Sequence, residues 1–207
     1  MRKTPFAIGE KYHIYNRGTE KRKIFMNKND YSRFVFIMEL FNRPDREFNA
    51  KRNLQLNYKS KSKTKRLVSI ESFSLMPNHY HLLLQEEVEG GISRFLQKVM
   101  TGYVMYFNKK YNRTGALFQG KAKSKHVDKD SYYMQLKAYI DLNPVELFDK
   151  NWKENYHVRS VEQTIKFLGD YKWGSCKDFS IYRKYLEGKS YLPTFDELFD
   201  LRSDLHS

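Results

Sequence analysis

Apolar residues along the chain recur at two spacings, and each change of spacing marks a new element. Tyr12-His13-Ile14-Tyr15-Asn16-Arg17 reads as a strand that ends at Gly18. Tyr31, Phe34, Val35, Met38 and Phe41 then fall at helical spacing, with Asp30 placed to cap that helix. Leu67 to Leu75 is rich in strand formers, but its apolar face switches between Ile70 and Phe73, which predicts a bulge. Met76-Pro77-Asn78 is a turn. His79-Tyr80-His81-Leu82-Leu83-Leu84-Gln85 is apolar on both faces near its end, as in a central, buried strand. Gly90-Gly91 breaks that strand, and the stripe from Ile92 through Phe95, Val99, Tyr103 and Phe107 to Tyr111 predicts a second helix. Gly115 to Val127 reads as a strand or extended arm. Asp128 or Asp130 caps a third helix, which must stop near Asn143 because Pro144 follows.

The order is strand, helix, strand, strand, helix, strand, helix. Its first six members match the split βαβ pattern of an α+β, ferredoxin-like sandwich, an antiparallel sheet with helices on one face. Residues 1–145 form the main domain on this reading, with a basic insert at about 44–66. Residues 146–207 form a C-terminal helical appendage, with a helix expected from Val161 to Leu168.

Composition adds a partner to this picture. The 207 residues suit one domain with an appendage. With 38 Lys and Arg against 24 Asp and Glu, the net charge is +14, which bears on partners rather than fold. Nucleic acid leads, an anionic membrane surface comes second, and plain solubility is the bland alternative. The 16 tyrosines add surface on which bases can stack. Apolar runs are too short to span a membrane, and the start lacks an apolar signal region. The single cysteine, Cys176, excludes an internal disulfide and fits a reducing compartment. A cytoplasmic, nucleoid-associated protein is therefore expected. Residues 44–66 carry five Lys and three Arg against Asp45 and Glu47. Lys59, Lys61, Lys63, Lys65 and Arg66 make this either a solvated loop or a phosphate-seeking arm. Lys121, Lys123 and Lys125 form a second basic segment just before the third helix.

Two constellations can carry chemistry. His79 and His81 are two apart on a strand, so both imidazoles project from one face and can share a divalent metal. A bare pair of this kind is more often a hydrogen-bonded polar rim, and two ligands do not complete a site. Tyr139 and Asn143, four apart, share one face of the third helix. An amide oxygen is a hard ligand suited to magnesium or manganese. If that helix lies over the sheet with Asn143 facing the histidines, a metal-polarised phosphodiester would sit beside a tyrosine hydroxyl. That arrangement suits nucleophilic attack on phosphorus.

At these residues the chain resembles a known family. Met76-Pro77-Asn78-His79-Tyr80-His81-Leu82-Leu83-Leu84 resembles the His-hydrophobe-His motif of the HUH endonuclease superfamily. Tyr12 to Gly18 with Ile24-Phe25, Gly115 to Lys121, Tyr139 to Val145, and Tyr171-Lys172-Trp173-Gly174-Ser175 are similar, in order, to segments of the single-tyrosine transposases, in particular the REP-associated tyrosine transposases. The resemblance implies that His79, His81 and Asn143 bind Mg²⁺ or Mn²⁺. It implies that Tyr139 is the nucleophile, cutting single-stranded or hairpin DNA through a 5′-phosphotyrosine link and then rejoining it. Some relatives are homodimers that complete each site with the partner's tyrosine helix. Tyr80, where an aliphatic residue is usual, should point away from the metal and pack. Two rivals stand beside this reading. One is a catalytically silent nucleic-acid-binding module of the same fold. The other is a metal-dependent hydrolase using water, with His126 or Cys176 as a further ligand.

Overall fold

The computed structural model describes residues 5–44, 65–155 and 157–193. Four strands, β1 (Lys11–Arg17), β2 (Val68–Met76), β3 (His79–Glu86) and β4 (Lys123–Val127), form one antiparallel sheet in the order β2-β3-β1-β4. Helix α1 (Lys28–Phe41) connects β1 to β2, and α2 (Gly91–Lys110) connects β3 to β4. This is the α+β ferredoxin-like arrangement that the spacing predicts.

Alternation along the strands sorts the sheet into two faces. Tyr12, Ile14, Tyr80, Leu82 and Leu84 point to one face and form the main core with Phe34, Ile37, Phe95, Val99 and Tyr103 of α1 and α2. Phe34 meets Tyr103 edge-on at 4.9 Å, the preferred aromatic geometry. Tyr80 lies fully buried here, its hydroxyl donating to Met100 Sδ at 3.2 Å. The large middle residue of the His triplet therefore packs away from the histidines, as expected. The third helix, α3 (Asp130–Leu142), crosses the opposite face, where Leu83 and Val127 meet Leu136, Tyr139 and Ile140.

The predicted bulge is present: Ile70 pairs with Leu84 and Ser72 with Leu83, so Glu71 is the extra residue. It turns Ser72 and Ser74 toward α3 while keeping Phe73 and Leu75 on the face toward α1 and α2. Both predicted helix caps differ from what forms. Asn27, not Asp30, caps α1, and Asp30 serves as the third helical residue of a capping box. Its buried carboxylate also accepts from Tyr106 and Lys110 of α2 and from Tyr111 just past its end, and so ties the two helices together. Lys129 stands at the cap of α3 without a side-chain bond, and Asp130 is already helical. The extended arm before α3 is regular strand only over its last five residues, with an isolated bridge from Phe118 to Gly18.

Beyond a 3₁₀ turn (Asn143–Leu147) lie α4 (Trp152–Asn155), α5 (Val161–Asp170) and α6 (Arg183–Leu186). Trp152, Val158, Leu168, Phe179 and Tyr182 form a second apolar cluster, closed by Ala138 and Leu142 from the outer side of α3. The Tyr171–Ser175 segment runs along the outer edge of β2. Leu75 N donates to Trp173 O at 2.9 Å and Ser175 N to Phe73 O at 3.0 Å. It thereby covers a strand edge that would otherwise be open.

Candidate active site

The site begins at the two-residue turn between β2 and β3. Gly18, at the end of β1, donates its N–H to Asn78 O at 2.9 Å. A Cβ at Gly18 would lie 2.3 Å from Arg22 O, so only glycine lets the loop from Thr19 to Arg22 fold back this closely on the end of β1. Asn78 then acts on the next residue, its Oδ1 lying 2.7 Å from His79 Nδ1. An amide oxygen can only accept, so Nδ1 of His79 carries the hydrogen and the lone pair of Nε2 is left for a ligand.

His79 and His81 share the α3 face, ring centroids 5.1 Å apart. Burial holds both in the neutral form. The pKa of His79 is pushed down to about 4, chiefly by loss of water, with Arg17 and Lys153 adding to the effect and Glu146 opposing it. His81 is pushed well below the usual histidine range by burial and then by His13, His79 and Lys153. Neutral imidazoles are the form that binds metal.

His13 is a member of this set that sequence reasoning did not single out. It is fully buried on β1, its Nε2 is 2.9 Å from His81 Nδ1, and burial followed by the Lys125 charge lowers its pKa to about 3. An imidazole behind a ligating imidazole fixes its ring orientation and tautomer. The available signal was its position in β1: the polar side of that strand must meet the polar side of β3.

Helix α3 brings the other two predicted residues to the same place. The Tyr139 ring meets the His81 ring edge-on at 5.6 Å. Asn143, one turn on, is buried, and neither its Oδ1 nor its Nδ2 has a hydrogen-bond partner of full geometry; the amide still acts on His79, raising its pKa. A buried amide this weakly satisfied costs stability unless something more binds it, so a cation beside Oδ1 would fit. Among the described residues, no group of three or more His, Cys, Asp or Glu could hold a metal ion. A His79, His81, Asn143 set needs none, because its third donor is an amide oxygen.

His79, His81 and Tyr139 face one open cleft, which Tyr15, Arg17, Gln119 and Lys123 also line, and the buried Asn143 amide lies beside His79. Of the basic residues singled out, Lys123 therefore reaches the cleft. Lys125 lies one register step further on the same face, its ammonium 5.3 Å from the Tyr132 ring, and Lys121 is exposed in the preceding loop. Lys65 and Arg66 are exposed before the far end of β2, eight residues or roughly 26 Å along the strand from Met76 beside His79. Lys59, Lys61 and Lys63 lie outside the described residues. His126 pairs with Glu10 and shares the opposite face with Tyr12, while Cys176 donates to Asp178 O. Neither joins the histidines, which removes the sequence-level argument for them as ligands.

The helix carrying Tyr139 is fastened by Asp141. Its buried carboxylate accepts from Ser72 Oγ at 2.6 Å, from Tyr182 Oη at 2.7 Å and from Lys137 Nζ at 2.7 Å. Ser175 Oγ adds a longer contact at 3.4 Å. One side chain thus joins β2, α3 and the C-terminal cluster.

Antiparallel sheet, paired histidines and a facing tyrosine helix define a transposase-type domain. The family model described as "Transposase IS200 like" matches residues 9–143, and the chain belongs to that family. In structure it resembles a REP-associated tyrosine transposase solved bound to a REP hairpin. The TM-score is 0.54 at 12% identity, with 95% of each chain covered. A putative transposase from Deinococcus radiodurans aligns at a TM-score of 0.39 and 14% identity, over 68% of this chain and 96% of its own. No curated protein matches the chain.

Proposed function

We propose that this family member is a REP-associated type of single-tyrosine transposase, cutting and rejoining single-stranded DNA at hairpin sites through a covalent 5′-phosphotyrosine link. One observation carries the reading: Tyr139 and two neutral histidines meet on one basic cleft, with the buried Asn143 amide beside His79. Pure nucleic-acid binding requires none of these four groups to meet.

His79 and His81 would hold Mg²⁺ or Mn²⁺ through Nε2, and Asn143 through Oδ1. The bound ion would supply Lewis-acid stabilisation of charge on the phosphate and on the departing oxygen. The chain's own residues do the rest. Arg17 and Lys123 draw the DNA backbone into the cleft. α3 holds Tyr139 against His81, so its hydroxyl meets the phosphate with little orientational freedom left to lose. Its oxygen bonds to phosphorus and its proton leaves to solvent. The bond from phosphorus to the 3′ oxygen breaks, and that oxygen leaves as a 3′ hydroxyl. The new ester keeps the energy of the old one, so the step runs backwards with another 3′ hydroxyl and needs no nucleotide. His13 and Asn78 hold the two histidine rings in the tautomers this arrangement requires.

The test uses labelled single-stranded hairpin DNA with Mn²⁺ and a denaturing gel. A covalent protein–DNA band is expected, lost in Tyr139→Phe and in EDTA. A band that survives Tyr139→Phe moves the nucleophile elsewhere. Tight hairpin binding with no band supports the silent binding module instead.

A further inference from the structure

A cation lies over the Tyr139 ring that the reading above does not use. Lys153, from α4 of the C-terminal segment, places its ammonium 4.4 Å from the ring centroid. A lysine serving only solubility would extend into water, yet this side chain is turned inward and is 17% exposed. It pairs with Glu146, which lines the cleft beside His79, His81 and Tyr139. A lone carboxylate at the mouth of a cleft for a polyanion would repel its substrate. Paired with Lys153 it is neutralised, and the ammonium is kept against the Tyr139 ring.

We propose that Lys153 is a further catalytic residue of this site. In free protein it rests on Glu146; when DNA enters, it takes a nonbridging oxygen of the scissile phosphate. The inference rests on the single-tyrosine reading. As the Tyr139 oxygen bonds to phosphorus, negative charge builds on the nonbridging oxygens. A fixed ammonium beside them favours that state over the ground state. The phenolic proton passes to water, the bond from phosphorus to the 3′ oxygen breaks, and that oxygen takes a proton from water. Lys153 neither gains nor loses one. The contact also gives the C-terminal segment a part in the chemistry, because Lys153 lies ten residues after Asn143 and beyond the 3₁₀ turn.

The test measures single-turnover formation of the Tyr139 adduct by the full chain on two hairpins. One has the ordinary scissile phosphodiester and the other a neutral methylphosphonate at that position. On the phosphodiester, Lys153→Met should slow the step about 100-fold and Lys153→Arg about tenfold or less, with hairpin affinity within about threefold. On the methylphosphonate one nonbridging oxygen is gone and the group starts neutral, so the gap between wild type and Lys153→Met should narrow to about tenfold or less. A gap as large on the methylphosphonate as on the phosphodiester assigns Lys153 to packing and overturns the proposal, as does an unchanged rate on the phosphodiester. If the methylphosphonate is inert to both proteins, rescue decides: Lys153→Arg no better than Lys153→Met overturns the proposal. Lys153→Gln replaces Lys153→Met should the latter not fold. A wild type that forms no Tyr139-dependent adduct is a separate outcome, which overturns the nuclease reading and this inference with it.

Discussion

His81 sits between two other imidazoles, His13 behind it at 2.9 Å and His79 beside it. All three are held neutral by burial, with His13 lowered to about 3 and His79 to about 4 from an ordinary 6.5. In the unfolded chain they take up protons near the ordinary value; in the folded protein they do so only well below it. Falling pH therefore feeds protons to the unfolded state, and stability is lost from about pH 6.5 downward. Urea denaturation of metal-free protein should show a falling midpoint between pH 6.5 and about pH 4.5, a window above most carboxylate titration. A midpoint that stays flat across that window would contradict the burial described here. His79, His81, Tyr139 and Asn143 were legible because periodicity places each pair on one face and the motifs match a family. His13 was not, since alternation marks it only as polar. Glu146 and Lys153 were hidden for another reason: they meet through the 3₁₀ turn after Pro144, which no spacing rule describes.

At the scale of elements, α3 is the part whose placement matters most. Its apolar stripe faces the sheet, but the exact seat is set by Asp141 and its four polar neighbours. Asp141→Ala leaves the Ser72 and Tyr182 hydroxyls buried without their acceptor and should cost about 2–4 kcal/mol in chemical denaturation. Asp141→Asn keeps one acceptor oxygen and should cost less. Equal stability of Asp141→Ala and wild type would remove the clasp from the account. The strands, the three long helices and the bulge were all readable, because each follows from spacing and strand formers. Caps were not: Asn27 and Asp30 both suit the start of α1, and only the packing against α2 decides between them. Nor can periodicity say which face of a sheet a helix will cover, so the opposite placement of α3 came from the structure alone.

Over the whole molecule, the net charge of +14 divides into parts with different positions. Arg17 and Lys123 line the cleft and Lys153 lies over the Tyr139 ring, whereas the stem of the basic segment leaves at the far end of β2. On the proposed function, that segment grips DNA away from the cut. Deleting residues 51–65 should flatten the plot of log affinity against log salt by roughly 0.7–0.9 for each phosphate lost, while adduct chemistry at Tyr139 persists. An unchanged slope would show that the segment makes no phosphate contacts. Charge alone pointed to polyanions from the sequence, but the separation of the cleft from Lys65 and Arg66 needed the register of β2 against β3.

The Asp141 clasp also sets an order in time. Ser72 precedes it in the chain, but Tyr182 and Ser175 are made more than thirty residues after it. A chain leaving the ribosome from its first residue has β1 to β4 and both paired histidines before the end of α3 has its last fastenings. The tyrosine is thus the last part of the site to be secured. On the proposed function, a half-finished chain already carries a basic face for DNA while Tyr139 is still loosely held, and the order of synthesis itself delays the first cut.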